Sequence, residues 1–432
     1  MVVADFLTCL CIFTNSLEKE LTTPPRVNRI GIARLCYAVA HCLGSATIQK
    51  ESGVIVVPFT DQEIHDKLVY ICQQFRIPGE LILYRPIPTG HINTSYYTAL
   101  YDGKEVRQYL VQMVNWYVFR DPVSMMRNID LITQHIMSKA RTLERRRRLH
   151  FHHTAEGNNY LILGEGENRE FWRLYNYVEN SVSFETAEGR EDVLRVSGKA
   201  FGKFLRQLQD FDADQLVESI PHFHDTRYRL ENFFQVVQED ALGRAESAER
   251  EIALIRDNRA FGCSLCEQID RGELPIRVTH NDTKTNNVLF DRDTMDPLVI
   301  IDLDTCMPGL ACYDFGDTVR FAACTAAEDE PDPARMKLDL RLFKAYAEGY
   351  ISEVKDVLTP AEFESLATGA AVITLELGLR FLSDYLIGDK YFRIDYPTHN
   401  LVRARAQLAL FKDMMRHMDD MQHIIHALHE IE

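Results

Sequence analysis

The segment from Val278 to Thr305 holds the side chains of this chain that are best suited to chemistry. Asp282, Lys284 and Asn287 lie close together in it, and an apolar run further along the segment ends at Asp302. Phosphoryl transfer needs these groups in this order: a carboxylate that accepts a hydroxyl proton, a lysine for phosphate oxygens, then an amide and a carboxylate for Mg²⁺. The segment therefore predicts a phosphoryl-transfer site.

Each of these residues has a separate expected role. Asp282 is the expected catalytic base, and Lys284 is expected to meet the transferred phosphate as its charge develops. Asn287 and Asp302 offer the oxygen atoms that Mg²⁺ prefers as ligands. Asp304, two residues further on, is a candidate second metal ligand or substrate ligand.

The alternative is that these are turn and capping residues, a common use of Asp and Asn. That explanation suits any single residue better than it suits the whole ordered series. His280 is interpreted as a buried histidine that bonds the backbone. The triplet from Asp314 to Gly316 matches the metal-binding triplet of protein kinases, but it follows Asp302 instead of containing it. We therefore expect Asp314 to brace the catalytic loop or to cap a helix.

The elements around this segment divide the chain into three parts. Residues 1–60 are interpreted as an extension that carries no assigned chemistry and need not be ordered. In residues 61–178, apolar residues at helical and then at alternating spacing predict a helix followed by a small, mostly antiparallel sheet with one long helix. Residues 179–432 predict a mainly helical lobe, into which the site segment inserts a short hairpin, with helices resuming at about Met336. The four arginines at 145–148 are interpreted as a solvated helix end and not as a nucleic-acid patch, because the chain is so acidic. The expected fold class is α+β.

The composition restricts the partners of the protein. Of the 432 residues, 46% are hydrophobic, which supports a buried core, and the net charge is −16. A field of this sign disfavours nucleic acid and anionic membranes as partners. The ten cysteines form no disulfide framework, and no apolar run approaches the roughly 20 residues that span a bilayer. These observations favour a cytoplasmic protein with a small-molecule partner.

Several stretches together resemble one family. They are TGHINTSY, FHDT, RVTHNDTKTNN, IIDLDTCMPG, DFGDTVRF, LRFLSDYLIGDKYF and YPTHNLVRARAQ. The chain resembles the aminoglycoside phosphotransferase and choline kinase group, which has a bilobal protein-kinase-like fold. The match extends from about residue 61 to 425, well beyond the catalytic loop, and is therefore specific to a smaller family within this group. The chain is similar to the N-acetylhexosamine 1-kinases.

The resemblance implies an activity, with ATP and Mg²⁺ as cofactors. ATP would phosphorylate the anomeric hydroxyl of N-acetylglucosamine or N-acetylgalactosamine, giving the sugar 1-phosphate. Matched by motif, Asp282 would be the base, and Asn287 and Asp302 the magnesium ligands. Two rival interpretations stay open: a kinase of the same fold acting on choline, homoserine or an aminoglycoside, and a degenerate kinase that only binds.

The resemblance also implies sugar contacts for His91, Arg380 and Tyr391. Each has a structural alternative. Arg380 could form a helical ion pair with Asp384, four residues on. Tyr391 could be an interfacial aromatic residue, and His91, in a turn, could bond only backbone.

The chain departs from the protein-kinase pattern at the nucleotide. The third strand carries Gln112 where protein kinases carry a lysine, and the helix Met125 to Lys139 offers no obvious glutamate partner. The contact to the α- and β-phosphates must therefore differ. Asn176, Tyr177 and Val178, at the end of the last strand of the small lobe, resemble the interlobe hinge whose backbone bonds adenine.

Overall fold

The computed structural model describes residues 61–88, 92–139, 145–187 and 189–430. The extension 1–60 and His91 lie outside these ranges. The helices are α1 Asp61–Gln74, α2 Pro122–Lys139, α3 Glu191–Gln207, α4 Thr226–Glu239, α5 Glu249–Asp257, α6 Arg259–Asp270, α7 Ala311–Ala322, α8 Leu340–Val354, α9 Pro360–Ile387, α10 His399–Arg416 and α11 Met418–Glu430. The strands are β1 Glu80–Ile87, β2 Thr94–Tyr101, β3 Val106–Val114, β4 Leu161–Leu163, β5 Glu170–Asn176, β6 Ser181–Val182, β7 Arg277–Thr279, β8 Val288–Asp291, β9 Pro297–Ile300 and β10 Met307–Gly309.

The small lobe is built on one antiparallel sheet with the strand order β1-β2-β3-β5-β4. Helix α1 covers one face of it, because its apolar residues recur at helical spacing and lie on one side. Leu68, Ile71 and Phe75 are at most 2% exposed and belong to the same apolar cluster as Val111 and Trp172. This core positions β3 and β5, the strands that reach the cleft.

The remaining lobe is mainly helical, so the α+β expectation is confirmed. Helix α9 lies at its centre. The expectation that no apolar run approaches the length of a membrane span was wrong, because the length and mean hydropathy of α9 would allow it to cross a membrane; 83% of an 18-residue apolar window in it is buried in the protein. Helices α7 and α9 touch backbone to backbone at Gly316, where a Cβ would lie 2.7 Å from the Cα of Ala370. The helix that carries Asp314 is therefore seated directly on the central helix.

Two small sheets present the site segment. Strands β7 and β10 pair antiparallel, and β8 and β9 form the expected hairpin, extended by β6. The ends of β7 and β9 therefore come together, with Asp282 following one strand and Asp302 following the other.

Two expectations about helices were wrong. Helices were expected to resume at about Met336, but α7 already begins at Ala311. Every residue of α7 except Phe321 is buried. Its polar residues Asp314, Asp317 and Arg320 recur at helical spacing, but they bond groups inside the protein and form no solvent-exposed face.

The second error concerns the arginine run. It was interpreted as a solvated helix end, but the structure gives a 3₁₀ turn at residues 145–147. Arg146 forms an ion pair of 2.5 Å with Asp291, and Arg147 donates to the Pro297 carbonyl. The run therefore binds the β8–β9 hairpin.

Candidate active site

The catalytic loop after β7 is held through its backbone by α7. The Asp314 carboxylate accepts the N–H groups of His280 and Asn281, each at 2.8 Å, and Asp317 accepts the N–H of Thr283 at 2.8 Å. Asn281 has a left-handed φ of 64°, a conformation that non-glycine residues adopt only when their surroundings fix it. Asp314 is thus a brace of the loop, as expected, and is buried away from the metal position.

His280 is a structural residue, as interpreted from the sequence. It is fully buried, and its Nε2 lies 3.0 Å from the carbonyl oxygen of Ile301. Its ring packs against the rings of Phe201 and Phe204. The contact to Ile301 ties the catalytic loop to the residue that precedes Asp302.

The structure brings Asp282, Lys284 and Asn287 together. Lys284 Nζ lies 3.0 Å from Asp282 Oδ1, and the Asn287 amide nitrogen donates to the Asp282 carbonyl at 2.9 Å and to Oδ2 at 3.2 Å. Because the amide nitrogen of Asn287 is occupied in this way, its oxygen remains for a cation. Asp282, and then Asp317, raise the pKa of Lys284, which therefore stays a cation.

Asp302 follows β9 with a left-handed backbone, φ 61° and ψ 56°. The residue is exposed to solvent in the cleft, but its carboxylate is surrounded by protein. Desolvation of the carboxylate, followed by repulsion from Asp304 and Asp282, raises the pKa of Asp302 to about 7. A cation at this carboxylate would relieve that repulsion. The oxygen set of Asn287 and Asp302 therefore fits Mg²⁺.

A bound magnesium ion would need further ligands. No group of three His, Cys, Asp or Glu side chains within residues 61–430, as far as the structure describes them, could hold a metal alone. Mg²⁺ commonly takes one or two carboxylates and completes its shell with phosphate oxygens and water. The donor set is therefore one that nucleotide phosphates would complete.

Asp304 is in a different situation from Asp302. Its side chain is 1% exposed, and its two oxygens accept from Arg173 at 2.5 and 3.1 Å and from Asn93 at 2.9 Å. Direct contact with metal or substrate would require this pair to separate. The sequence reasoning missed Arg173, whose signal is a cation in the apolar strand EFWRLYN.

Several polar groups of the expected hinge, Asn176 to Val178, already form hydrogen bonds within the protein. The Asn176 side chain accepts the N–H of His150 and donates to the Arg148 carbonyl, and the Tyr177 N–H donates to the Gln108 carbonyl. The Val178 carbonyl accepts the Ser181 hydroxyl at 2.7 Å.

Arg380 does not form the helical ion pair that was its structural alternative. Asp384 instead accepts the backbone N–H groups of Lys390, Tyr391 and Phe392, at 2.8 to 2.9 Å. In the part of the chain that the structure describes, no carboxylate lies within ion-pair distance of the Arg380 guanidinium. That alternative is therefore wrong, and Asp384 holds the loop that carries Tyr391.

Aromatic rings surround the Arg380 guanidinium. Its Cζ lies 5.1 Å from the ring centre of Phe223, 6.0 Å from that of Tyr391 and 5.7 Å from that of Phe392. Tyr391 is 61% exposed, so one side of this group is open to a ligand. Phe223 is a further residue that the sequence reasoning missed.

A chain of contacts joins this arginine to the catalytic loop. The Phe223 ring packs on His224 at 4.5 Å, and His224 lies 5.5 Å from Tyr313, which precedes the brace Asp314. An open cavity of about 260 Å³ is lined by Phe223, His224, Tyr313 and Asn281, among others. Ring contacts therefore connect Arg380 to the start of α7, which braces the catalytic loop.

Comparison with known sequences identifies a matching family. The model of the phosphotransferase enzyme family matches residues 85–350, which include the whole catalytic segment and the small-lobe sheet from the middle of β1 onward.

Solved structures with a similar fold are kinases of small molecules. A microcompartment-associated aminopropanol kinase is 15% identical, with a TM-score of 0.52 over 82% of this chain and 98% of its own. An aminoglycoside phosphotransferase from Alicyclobacillus acidocaldarius is 12% identical, with a TM-score of 0.52 over 89% and 99%. An amicoumacin kinase in complex with AMP-PNP and Ca²⁺ is 11% identical, with a TM-score of 0.50 over 81% and 93%. The expected kinase-like fold is confirmed.

Proposed function

We propose that this chain, which belongs to the phosphotransferase enzyme family, transfers the γ-phosphoryl group of ATP to the anomeric O1 of N-acetylhexosamines. The sequence stretches quoted above support this acceptor, because they extend far beyond the catalytic loop that all members of such a family need. The proposal assigns the base to Asp282 and the contact to the transferred phosphoryl group to Lys284.

Arg380, which has no carboxylate partner among the residues that the structure describes, is the observation that carries the choice of acceptor. Burial, together with the neighbouring Arg380, lowers the pKa of Arg229, so two guanidinium groups lie near each other here. Glu376, one helical turn before Arg380, is occupied by His224 at 2.9 Å and Thr226 at 2.6 Å. A cationic acceptor such as choline or an aminoglycoside would be repelled by this charge.

A neutral sugar suits the same group of residues. The guanidinium of Arg380 can donate hydrogen bonds to hydroxyl or acetamido oxygens, and the rings of Phe223 and Tyr391 can cover the apolar face of a pyranose. The resemblance adds His91, which lies outside the described residues, as a further sugar contact. A polyol needs several convergent hydrogen bonds of this kind.

In the proposed reaction, Asp282 orients O1 and accepts its proton as the bond to phosphorus forms and ADP leaves. Mg²⁺, held by Asn287, Asp302 and the phosphates, would neutralise charge on the nucleotide. Lys284 stabilises the oxygens of the transferred group. The backbone at Asn176, Tyr177 and Val178 is the proposed adenine contact.

A panel of acceptors tests the proposal. Purified protein is incubated with ATP and Mg²⁺ plus N-acetylglucosamine, N-acetylgalactosamine, choline, homoserine or an aminoglycoside. We expect ADP release with the two hexosamines only, accompanied by loss of the reducing end. Phosphorylation of a cationic acceptor with no turnover of either hexosamine would refute the proposed acceptor and leave the phosphotransferase activity standing.

A further inference from the structure

Three polar side chains form a row across the small-lobe sheet at the position of the missing strand lysine. Ser95 pairs with Gln112 in the β2–β3 register, and Gln112 pairs with Arg173 in the β3–β5 register. Gln112 donates to the Ser95 hydroxyl at 2.8 Å, and its amide oxygen accepts from Arg173 at 2.8 and 2.5 Å. The cation of this site therefore comes from β5, one strand away from the usual position.

Helix α2 does not supply the anion. The side chain that α2 presents to Arg173 is Met126, which is fully buried and whose sulfur lies 3.7 Å from Nη1. Asp130, the acidic residue of α2, lies instead beside His153 at 3.1 Å. The guanidinium finds its carboxylate in the other lobe, at Asp304, 131 residues further along the chain.

The Arg173–Asp304 pair joins three parts of the cleft. Arg173 belongs to the small-lobe sheet, and Asp304 follows the metal-site residue Asp302 by two positions. Asn93, which donates to Asp304, uses its own amide oxygen to accept the N–H of Asn115 after β3. The pair therefore connects the turn before β2, the end of β3 and the loop that carries Asp302.

All five N–H groups of Arg173 have partners in this arrangement. Nε donates to Gln112, Nη1 to Asp304 and toward the Met126 sulfur, and Nη2 to Gln112 and Asp304. No donor remains for a phosphate oxygen in this geometry. Arg173 therefore acts on the nucleotide through other residues.

Backbone geometry points to the residue through which it acts. Asp302 has a left-handed φ of 61°, which an aspartate keeps only when the surrounding structure fixes it. The buried bidentate pair at Asp304 fixes the same loop two residues later. A buried ion pair is weak evidence for stability but good evidence for a defined geometry.

We propose that Arg173 is a positioning residue. With Gln112 and Asp304 it holds the loop from Asp302 to Asp304, the metal loop, against the small lobe so that Asp302 meets the nucleotide-bound cation. Protein kinases place a lysine on the third strand and its glutamate partner on a helix. Here the cation is Arg173, on the neighbouring strand β5, and its anionic partner is Asp304, on the metal loop. This inference rests on the phosphotransferase part of the proposed function and is independent of the acceptor.

The test measures Mg²⁺ dependence without any acceptor. Binding of AMP-PNP is titrated calorimetrically, with and without Mg²⁺, for the wild type and for Arg173→Met. Residues that orient metal ligands typically change metal affinity by about 10- to 100-fold when they are replaced. We expect the gain in AMP-PNP affinity that Mg²⁺ brings to fall by at least about tenfold, and the affinity without Mg²⁺ to change by less than about threefold.

Arg277→Met is the matched control. Arg277 forms a similar bidentate pair with Glu362, at 2.6 and 2.8 Å, inside the helical lobe. We expect this variant to melt at a lower temperature than the wild type with unchanged Mg²⁺ dependence. If Arg173→Met does not fold, Asp304→Asn, which removes the charge and keeps the shape, takes its place in the same titration.

The outcomes separate the alternatives. Loss of Mg²⁺ dependence in Arg173→Met or Asp304→Asn, but not in Arg277→Met, supports the positioning role. A lowered melting temperature with wild-type Mg²⁺ dependence in both cleft variants overturns it and leaves the pair as a structural contact. If wild-type protein binds Mg²⁺ and AMP-PNP but phosphorylates no hexosamine, only the proposed acceptor fails.

Discussion

The two walls of the cleft are built in different ways. On the helical lobe, Asp282, Lys284 and Asn287 come from one continuous loop, whose backbone is held by Asp314. On the small lobe, Ser95, Gln112 and Arg173 come from three strands, and the ion pair of Arg173 reaches into the other lobe. The first wall is a local motif, whereas the second exists only once the sheet has formed and the lobes have met.

The largest effect is expected when the proposed base is removed from the catalytic loop. Asp282→Asn removes the group that accepts the hydroxyl proton, so turnover should fall by roughly 10²- to 10⁴-fold. Initial rates of ADP release with N-acetylglucosamine measure this. Asp296→Asn, at an exposed turn of the same hairpin, is the control and should keep wild-type turnover and melting temperature. Wild-type-like turnover of folded Asp282→Asn would remove Asp282 from the role of base.

A smaller effect is expected at the acceptor. Arg380→Met keeps most of the side-chain volume but removes the guanidinium, and hydrogen bonds from charged groups contribute about 1.5–3 kcal/mol. We expect kcat/KM for the hexosamine to fall by roughly 10- to 100-fold, mainly through KM, with the KM for ATP unchanged.

Arg259→Met is the matched control for Arg380. Arg259 also lies over an aromatic ring, that of Phe234, at 5.7 Å, but it is an exposed residue of α6. It should leave the KM for the acceptor unchanged. Equal losses in the two variants would mean that Arg380 contributes packing and no acceptor contact.

The smallest expected effect concerns the support beneath the catalytic loop. Gly316→Ala places a Cβ against the backbone of α9, and overpacking of this kind costs about 1–3 kcal/mol of unfolding free energy. Because Gly316 lies between the braces Asp314 and Asp317, turnover should fall as well. Denaturant unfolding and steady-state rates measure the two effects.

Gly103→Ala is the small-lobe counterpart. Gly103 has a φ of 94° but open space around its Cβ position, so the cost should be about 1 kcal/mol from backbone strain, with unchanged turnover. If Gly316→Ala lowered stability without lowering turnover, α7 would support the fold and not the geometry of the loop.

The same difference between the walls explains what could be predicted from the sequence. The proximity of Asp282, Lys284 and Asn287 could be predicted because these residues lie in one continuous loop and follow the order found in kinase catalytic loops. The β8–β9 hairpin could be predicted from its apolar runs. Such signals are local, and the structure alters none of them.

What could not be predicted depends on long-range packing. The sequence shows that Gln112 replaces the strand lysine of protein kinases. Its partner Arg173 can be identified only once the strand order is known, and Asp304, the partner of Arg173, only once the two lobes are in contact. Helix α7 was missed because its polar residues Asp314, Asp317 and Arg320 are buried and bond groups inside the protein, so they do not form the solvent-exposed face typical of a surface helix. Arg380 remained ambiguous because Asp384 has the right spacing for an ion pair, and only the structure shows it holding the loop of Tyr391.

The most direct test of the central claim is a crystal structure of the wild-type protein with AMP-PNP, Mg²⁺ and N-acetylglucosamine. We expect one Mg²⁺ at about 2.0–2.1 Å from Asn287 Oδ1 and from an Asp302 oxygen, and the sugar O1 at about 2.6–3.2 Å from the Asp282 carboxylate. A cation bound without Asn287 and Asp302, or a sugar with its O1 remote from Asp282, would contradict the account.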